Sequence, residues 1–124
     1  WGELGYGASR SRGTEPGTMG DALPEVPLGL ALGDEPVGLA LGKHFSCARL
    51  LSGGAKCWGA NVYEQLGVGS GAELTGTQPE DMGEGLRPVG GLGGAVDLLR
   101  AAPAGYFTCA RPAPGVAEDP AERA

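Results

Sequence analysis

One block of residues returns in the same order about 62 positions further on. This recurrence constrains the fold of the 124-residue chain more than any other feature. Trp1-Gly2-Glu3-Leu4-Gly5-Tyr6-Gly7 matches Tyr63-Glu64-Gln65-Leu66-Gly67-Val68-Gly69 at an offset of 62. Gly13-Thr14-Glu15-Pro16 and Met19-Gly20-Asp21 match Gly76-Thr77-Gln78-Pro79 and Met82-Gly83-Glu84 at an offset of 63. His44-Phe45-Ser46-Cys47-Ala48-Arg49 matches Tyr106-Phe107-Thr108-Cys109-Ala110-Arg111, again at 62. Three matched blocks at nearly one period define a repeat, and the slip of one residue is an insertion in a loop.

Each unit has one layout. A Leu-Gly-x-Gly turn opens it, and a long polar loop follows, 8–21 or 70–84. Next come a short apolar run (23–32 or 86–92), a strand candidate (37–41 or 96–102) and a hairpin strand at Phe45 or Phe107. The apolar runs are short and bounded by Gly and Pro, so they read as strands rather than helices. Residues 95–102 have helical propensity, but their register with 37–42 predicts a strand. Glycine and proline make up 35 of 124 residues, which without a period would suggest disorder; with one, it indicates a turn-rich repeat protein. The second unit lacks the leucine pair, cysteine and tryptophan that the offset requires after Arg111. Residues 112–124 therefore read as a solvated Pro/Ala/acidic tail. The expected organisation is a first unit 1–62, a second, incomplete unit 63–111, and this tail.

Residues 44–59 read as a β-hairpin about a Ser-Gly-Gly turn. Its register decides what Cys47 and Cys57 can do. A three-residue loop over 51–53 sets them directly opposite and permits a disulfide. A loop over 52–54 makes them diagonal neighbours on one face, and a two-residue Gly53-Gly54 turn sends them to opposite faces. We expect the disulfide, with two buried thiols as the alternative. Cys109 repeats Cys47, but Asp119 holds the partner position, so Cys109 should be a free thiol.

Gly42 to Ala48, Gly54-Ala55-Lys56-Cys57-Trp58-Gly59-Ala60-Asn61 and Tyr63 to Gly69 resemble the repeat of the regulator of chromosome condensation, most closely its bacterial branch. The resemblance covers residues 1–111 and is most specific in the hairpin and the Leu-Gly-x-Gly turn. It implies an all-β chain, part of a β-propeller of about seven four-stranded blades. His44, Trp58, Gly59, Asn61, Leu66, Gly67 and Gly69 would be structural motif residues. Two units cannot close such a ring, so open edges and an apolar face should remain for neighbouring repeats. The start inside a motif at Trp1-Gly2 leads us to expect a fragment. Glu64 stands where the first unit has Gly2; if the turn needs a positive φ there, it costs roughly 1 kcal/mol.

Function is less legible. A net charge of −6 and a pI near 4.6 argue against nucleic acid and anionic lipid as partners. No apolar run approaches the ~20 residues of a membrane span. His44, Cys47 and Cys57 lack a fourth ligand, so no metal site is expected. Gly67-Val68-Gly69-Ser70-Gly71-Ala72 fits a dinucleotide pattern but has no strand–helix context. Asp21, Asp34 and Glu35 are loop carboxylates with no spacing that fixes a catalytic pair. No residue is placed to activate a cysteine. We expect His44 to bond backbone in its turn and Trp58 to pack between blades. The reading is a non-catalytic protein-interaction module without cofactors, secreted or on a bacterial cell surface, whose protein partner the sequence does not name. An exchange factor for a small GTPase, or a remnant of a repeat protein, are the alternatives.

Overall fold

A computed structural model describes residues 1–90, 92, 95–102 and 104–113. It is all-β and antiparallel. Strands β1 (Pro36–Gly42), β2 (Phe45–Leu50), β3 (Ala55–Ala60) and β4 (Leu74–Thr75) form one sheet in that order. Strands β5 (Val96–Ala101) and β6 (Thr108–Pro112) form a second, two-stranded sheet. The stretch 95–102, ambiguous by propensity, is thus extended where it pairs with β6.

The β2–β3 hairpin takes the register that sets its cysteines opposite. Gly53 adopts φ 99°, which glycine reaches without a Cβ penalty. Leu50 N–H then donates to Gly54 O at 2.9 Å, closing a loop over 51–53. Arg49 faces Ala55, Ala48 faces Lys56, and Cys47 faces Cys57, where a disulfide joins them.

Both faces of this sheet are covered, so β2 and β3 are buried almost throughout instead of alternating. On one face Phe45, Cys47, Cys57 and Leu66 pack with Ala40, Ala55 and Leu99 of β5. On the other, Ala48, Leu50 and Trp58 lie under Leu28, Met82 and Leu86. Burying each large side chain contributes roughly 1.5–3 kcal/mol. Together the two clusters hold both units to one sheet.

Three expectations need correcting. The run 23–32 is extended but pairs with no strand, and 86–92 contributes only a single bridge, Pro88 to Lys56. Pro24 and Pro27 have no N–H to give a ladder. Lys56 substitutes for one: its Nζ donates to Leu28 O at 2.6 Å and Gly29 O at 3.3 Å, pinning the run across the sheet. Replacing Lys56 with Met should cost about 1–3 kcal/mol, because two carbonyls lose their donor; urea unfolding checks it.

The loop 70–84 is also more structured than its polarity suggests. It holds β4, which pairs with Gly59 and Ala60, and 3-10 turns at Pro79–Asp81 and Gly83–Gly85. The fourth strand of the first sheet therefore comes from the second unit, and the boundary after residue 62 falls inside one sheet. Finally, β6 runs through Pro112, and Ala113 N–H donates to Ala95 O at 2.9 Å, so the sheet outlasts Arg111. The remainder of the expected tail, 114–124, lies outside the described residues.

Candidate functional site

The two units repeat individual bonds. Ser46 Oγ donates to Glu3 O at 2.8 Å, and Thr108 Oγ1 donates to Gln65 O at 3.0 Å. Trp1 stacks on His44 with centroids 5.0 Å apart; Tyr63 meets Tyr106 at 4.9 Å. Both strand pairs carry an irregularity at the same place, Pro36/Gly38 and Val96/Leu98. A 3-10 turn at Gly20–Ala22 answers the one at Gly83–Gly85. Strand partners show that β6 follows β2 by 62 residues, whereas β5 follows β1 by 60. The turn before Phe107 absorbs the two extra residues. Leu99 and Ala101 are accordingly the counterparts of Leu39 and Leu41.

That correspondence exposes a difference. Leu99 is 6% exposed against the disulfide face, while Leu39 and Leu41 are 68% and 58% exposed. They line a groove of about 860 Å³ with Leu4, Val26, Leu30, Ser46, Ala48 and Trp58. The long loops form a second surface. An added Cβ on Gly2 would touch Thr75 O at 2.9 Å, and one on Gly7 would touch Pro79 Cα at 2.7 Å, so the opening turn 1–7, which leads into loop 8–21, runs beside loop 70–84. Arg12 lies over the Tyr6 ring at 4.6 Å on this surface.

The motif residues hold the turns. Gly59 adopts φ 111°, and a Cβ there would sit 2.5 Å from His44 O and 2.7 Å from Phe45 Cα. Asn61 Nδ2 donates to Ala72 O at 2.8 Å and its Oδ1 accepts from Leu66 N–H at 3.1 Å, which fixes the turn that buries Leu66. Gly67 and Gly69 have φ of 66° and 63°. No helix follows them among the described residues, so they serve as turn glycines. Cys109 is free and exposed.

His44 sits differently from expectation. The His44 ring lies against Trp1 rather than on a backbone group, because the residue is left-handed (φ 61°) and its own carbonyl accepts from Ala60 N–H. Trp58 is buried under the run 26–30 and Met82–Leu86, with Nε1 donating to Glu3 O at 2.9 Å. No second sheet covers it among the described residues.

Glu64 adopts φ 57°, a conformation that favours glycine. Glu64→Gly should stabilise the fold by about 1 kcal/mol in thermal unfolding.

The carboxylates brace loops. Asp34 accepts from Ser52 N–H at 3.0 Å and Ser52 Oγ at 2.7 Å, capping the β2–β3 hairpin; these bonds hold its carboxyl below the usual range. Asp97 is lowered chiefly by its hydrogen bond from Arg111, at 2.9 Å. Both bind protons less readily folded than unfolded. Their contribution is present above the ordinary carboxylate range and fades as pH falls through their lowered values. Chemical denaturation should show a fall in stability below about pH 4, reduced in Asp34→Asn. Asp81 Oδ2 accepts the N–H groups of Gly76, Thr77 and Gln78 at 3.0–3.2 Å, and in the first unit Thr18 Oγ1 accepts Gly13 N–H at 3.2 Å at the same position. Asp21 and Glu35 are exposed, and neither forms a paired acid/base set.

Sequence reasoning missed β4, Lys56, the Asp81 cradle and the aromatic pairs. Only the last had a readable signal: the 62-residue offset maps one pair of rings onto the other. No group of three metal-ligating side chains occurs among the described residues, and the disulfide occupies both hairpin sulfurs. No helix of the described residues is long and apolar enough to cross a membrane. Set against known proteins, the chain matches no family model and no curated relative.

Proposed function

We propose that the chain is a pair of repeat units of the regulator-of-chromosome-condensation type, a segment of a β-propeller that works as a non-catalytic protein-binding module. The observation that supports this most is the duplicated contact: Ser46 to Glu3 O in one unit, Thr108 to Gln65 O in the other. A bond repeated at equivalent positions supports one local geometry used twice. Such units stack through their sheet faces, which leaves the loops for recognition. Here loop 70–84 lies beside the turn 1–7 that leads into loop 8–21, and loop 8–21 carries the exposed Arg10, Arg12 and Glu15. The titratable groups at the turns are occupied in bracing them, which favours binding over catalysis. The disulfide suits an oxidising compartment, in keeping with a secreted or cell-surface protein.

The test replaces residues 8–15 of the intact protein with a Gly/Ser linker of equal length. Partner capture should be lost while the melting curve stays in place. Capture unaffected by any loop replacement would overturn the reading. Accelerated nucleotide release from a small GTPase would replace it with the exchange-factor alternative.

A further inference from the structure

The two long loops share one turn and finish it differently. Gly13 and Gly76 correspond at the 63-residue offset, and both are left-handed, with φ of 84° and 97°. From Gly76 on, three successive backbone N–H groups converge, an arrangement that binds anions. Its occupant is Asp81, whose Oδ2 accepts from Gly76, Thr77 and Gln78 at 3.0, 3.2 and 3.1 Å. The first loop has Thr18 at that position. Thr18 Oγ1 accepts from Gly13 N–H at 3.2 Å and donates to Glu15 O at 2.7 Å. Among the described residues, the N–H groups of Thr14 and Glu15 have no partner from the chain.

The loop that lacks the carboxylate carries the cations. Residues 70–84 include Glu73, Glu80, Asp81 and Glu84 and neither lysine nor arginine, whereas residues 8–21 include Arg10 and Arg12. Both arginines are exposed, and neither forms a salt bridge among the described residues. They line a cleft of about 360 Å³ with Tyr6, Thr14, Glu15 and Thr18, of which Glu15 is the single acid. Arg12 is held over the Tyr6 ring, a pairing the second unit lacks because Val68 replaces Tyr6. The first loop therefore has a receptor for a carboxylate, two guanidinium groups able to grip others, and no carboxylate of its own in place.

We propose that this cleft binds an acidic peptide segment of a protein partner. One carboxylate sits on the Thr14 and Glu15 N–H groups, in the place Asp81 takes in the second loop, and its neighbours pair with Arg10 and Arg12. The assignment rests on loop 8–21 being a recognition loop and names what that loop recognises. A chain of net charge −6 repels acidic peptides elsewhere, so the cleft also fixes where such a partner docks.

Amide spectra of the isotopically labelled full chain, titrated with a capped tetra-aspartate peptide, test it. The Thr14 and Glu15 N–H resonances should shift saturably. Those of Gly76, Thr77 and Gln78 should stay in place, because Asp81 fills their receptor. A capped tetra-asparagine peptide should shift none of them. Arg10→Ala with Arg12→Ala should weaken binding at least about tenfold and melt as wild type does, since both side chains are exposed. Thr18→Asp gives the first loop a carboxylate of its own and should abolish binding, whereas Thr18→Ser should bind as wild type does. Absence of a shift at Thr14 and Glu15, or binding indifferent to the arginine or the Thr18→Asp variant, overturns the proposal. If replacing residues 8–15 still abolishes partner capture, the binding-module reading then stands without it. Inorganic phosphate that shifts the same amides at the same concentration as the peptide overturns the peptide assignment in favour of a free anion.

Discussion

Phe45→Ala should destabilise the protein by about 3–5 kcal/mol, whereas Phe107→Ala at the matching position should cost under about 1 kcal/mol. The two phenylalanines occupy the same place in the repeat, one residue after the paired aromatic. Their surroundings differ. Phe45 is 1% exposed, beneath Gly42 and among Cys47, Cys57, Leu66 and Leu99. Removing its ring leaves a cavity between a disulfide-tied sheet and the strand packed on it, and neither can collapse into the space. Phe107 is 60% exposed, so its ring is mostly in water. Urea unfolding of both variants measures the pair; equal costs would mean that the second unit has the same core as the first.

The second large effect belongs to the Cys47–Cys57 disulfide. It closes a loop with a sequence separation of 10. Chain-entropy arguments give about 3 kcal/mol for a loop of that size. The bond lies in the middle of the covered face, so its loss also loosens the packing of Leu99. Cys47→Ala with Cys57→Ala should therefore lower stability by about 3 kcal/mol, and β5–β6 should loosen before the rest. Cys109→Ser should change stability by less than about 0.5 kcal/mol, since that thiol is exposed. Small domains carry only 5–15 kcal/mol in all. Either large variant then removes a substantial share, and a thermal melt with and without reductant provides the comparison.

The legible parts of this fold follow from the period. A 62-residue offset assigns 95–102 to a strand against its own helical propensity, because the partner strand in the first unit admits only an extended chain. The hairpin register follows from one glycine-rich turn: Gly53 can adopt the positive φ that a loop over 51–53 demands. The positive φ at Glu64 was legible in the same way, from Gly2. What the period does not carry is the irregular backbone. Leu23 to Leu32 looks like a strand by its apolar content, but its carbonyls are met by a lysine 28 residues away from Leu28 O and by the Gly83 N–H on Pro27 O, and no local pattern reveals that. β4 is two residues long in a polar loop and exists because β3 offers it an edge. A lone histidine in a turn commonly bonds backbone, but Trp1, distant in sequence, stacks on His44 instead. The groove was foreseeable only in outline, as an apolar face left open. Which leucines form it emerges from the 60-residue offset in β1 and β5, which differs from the offsets elsewhere by two or three.

The central claim is that one sheet-forming unit occurs twice and that the second packs its Leu99 side onto the disulfide face of the first. Nuclear Overhauser contacts from the Leu99 methyls, recorded on dilute protein, test it most directly. Cross-peaks to Phe45, Leu66 or the Cys47–Cys57 β-protons are predicted, with none to these groups from the Leu39 methyls. A Leu99 that sees only its own hairpin would contradict the account.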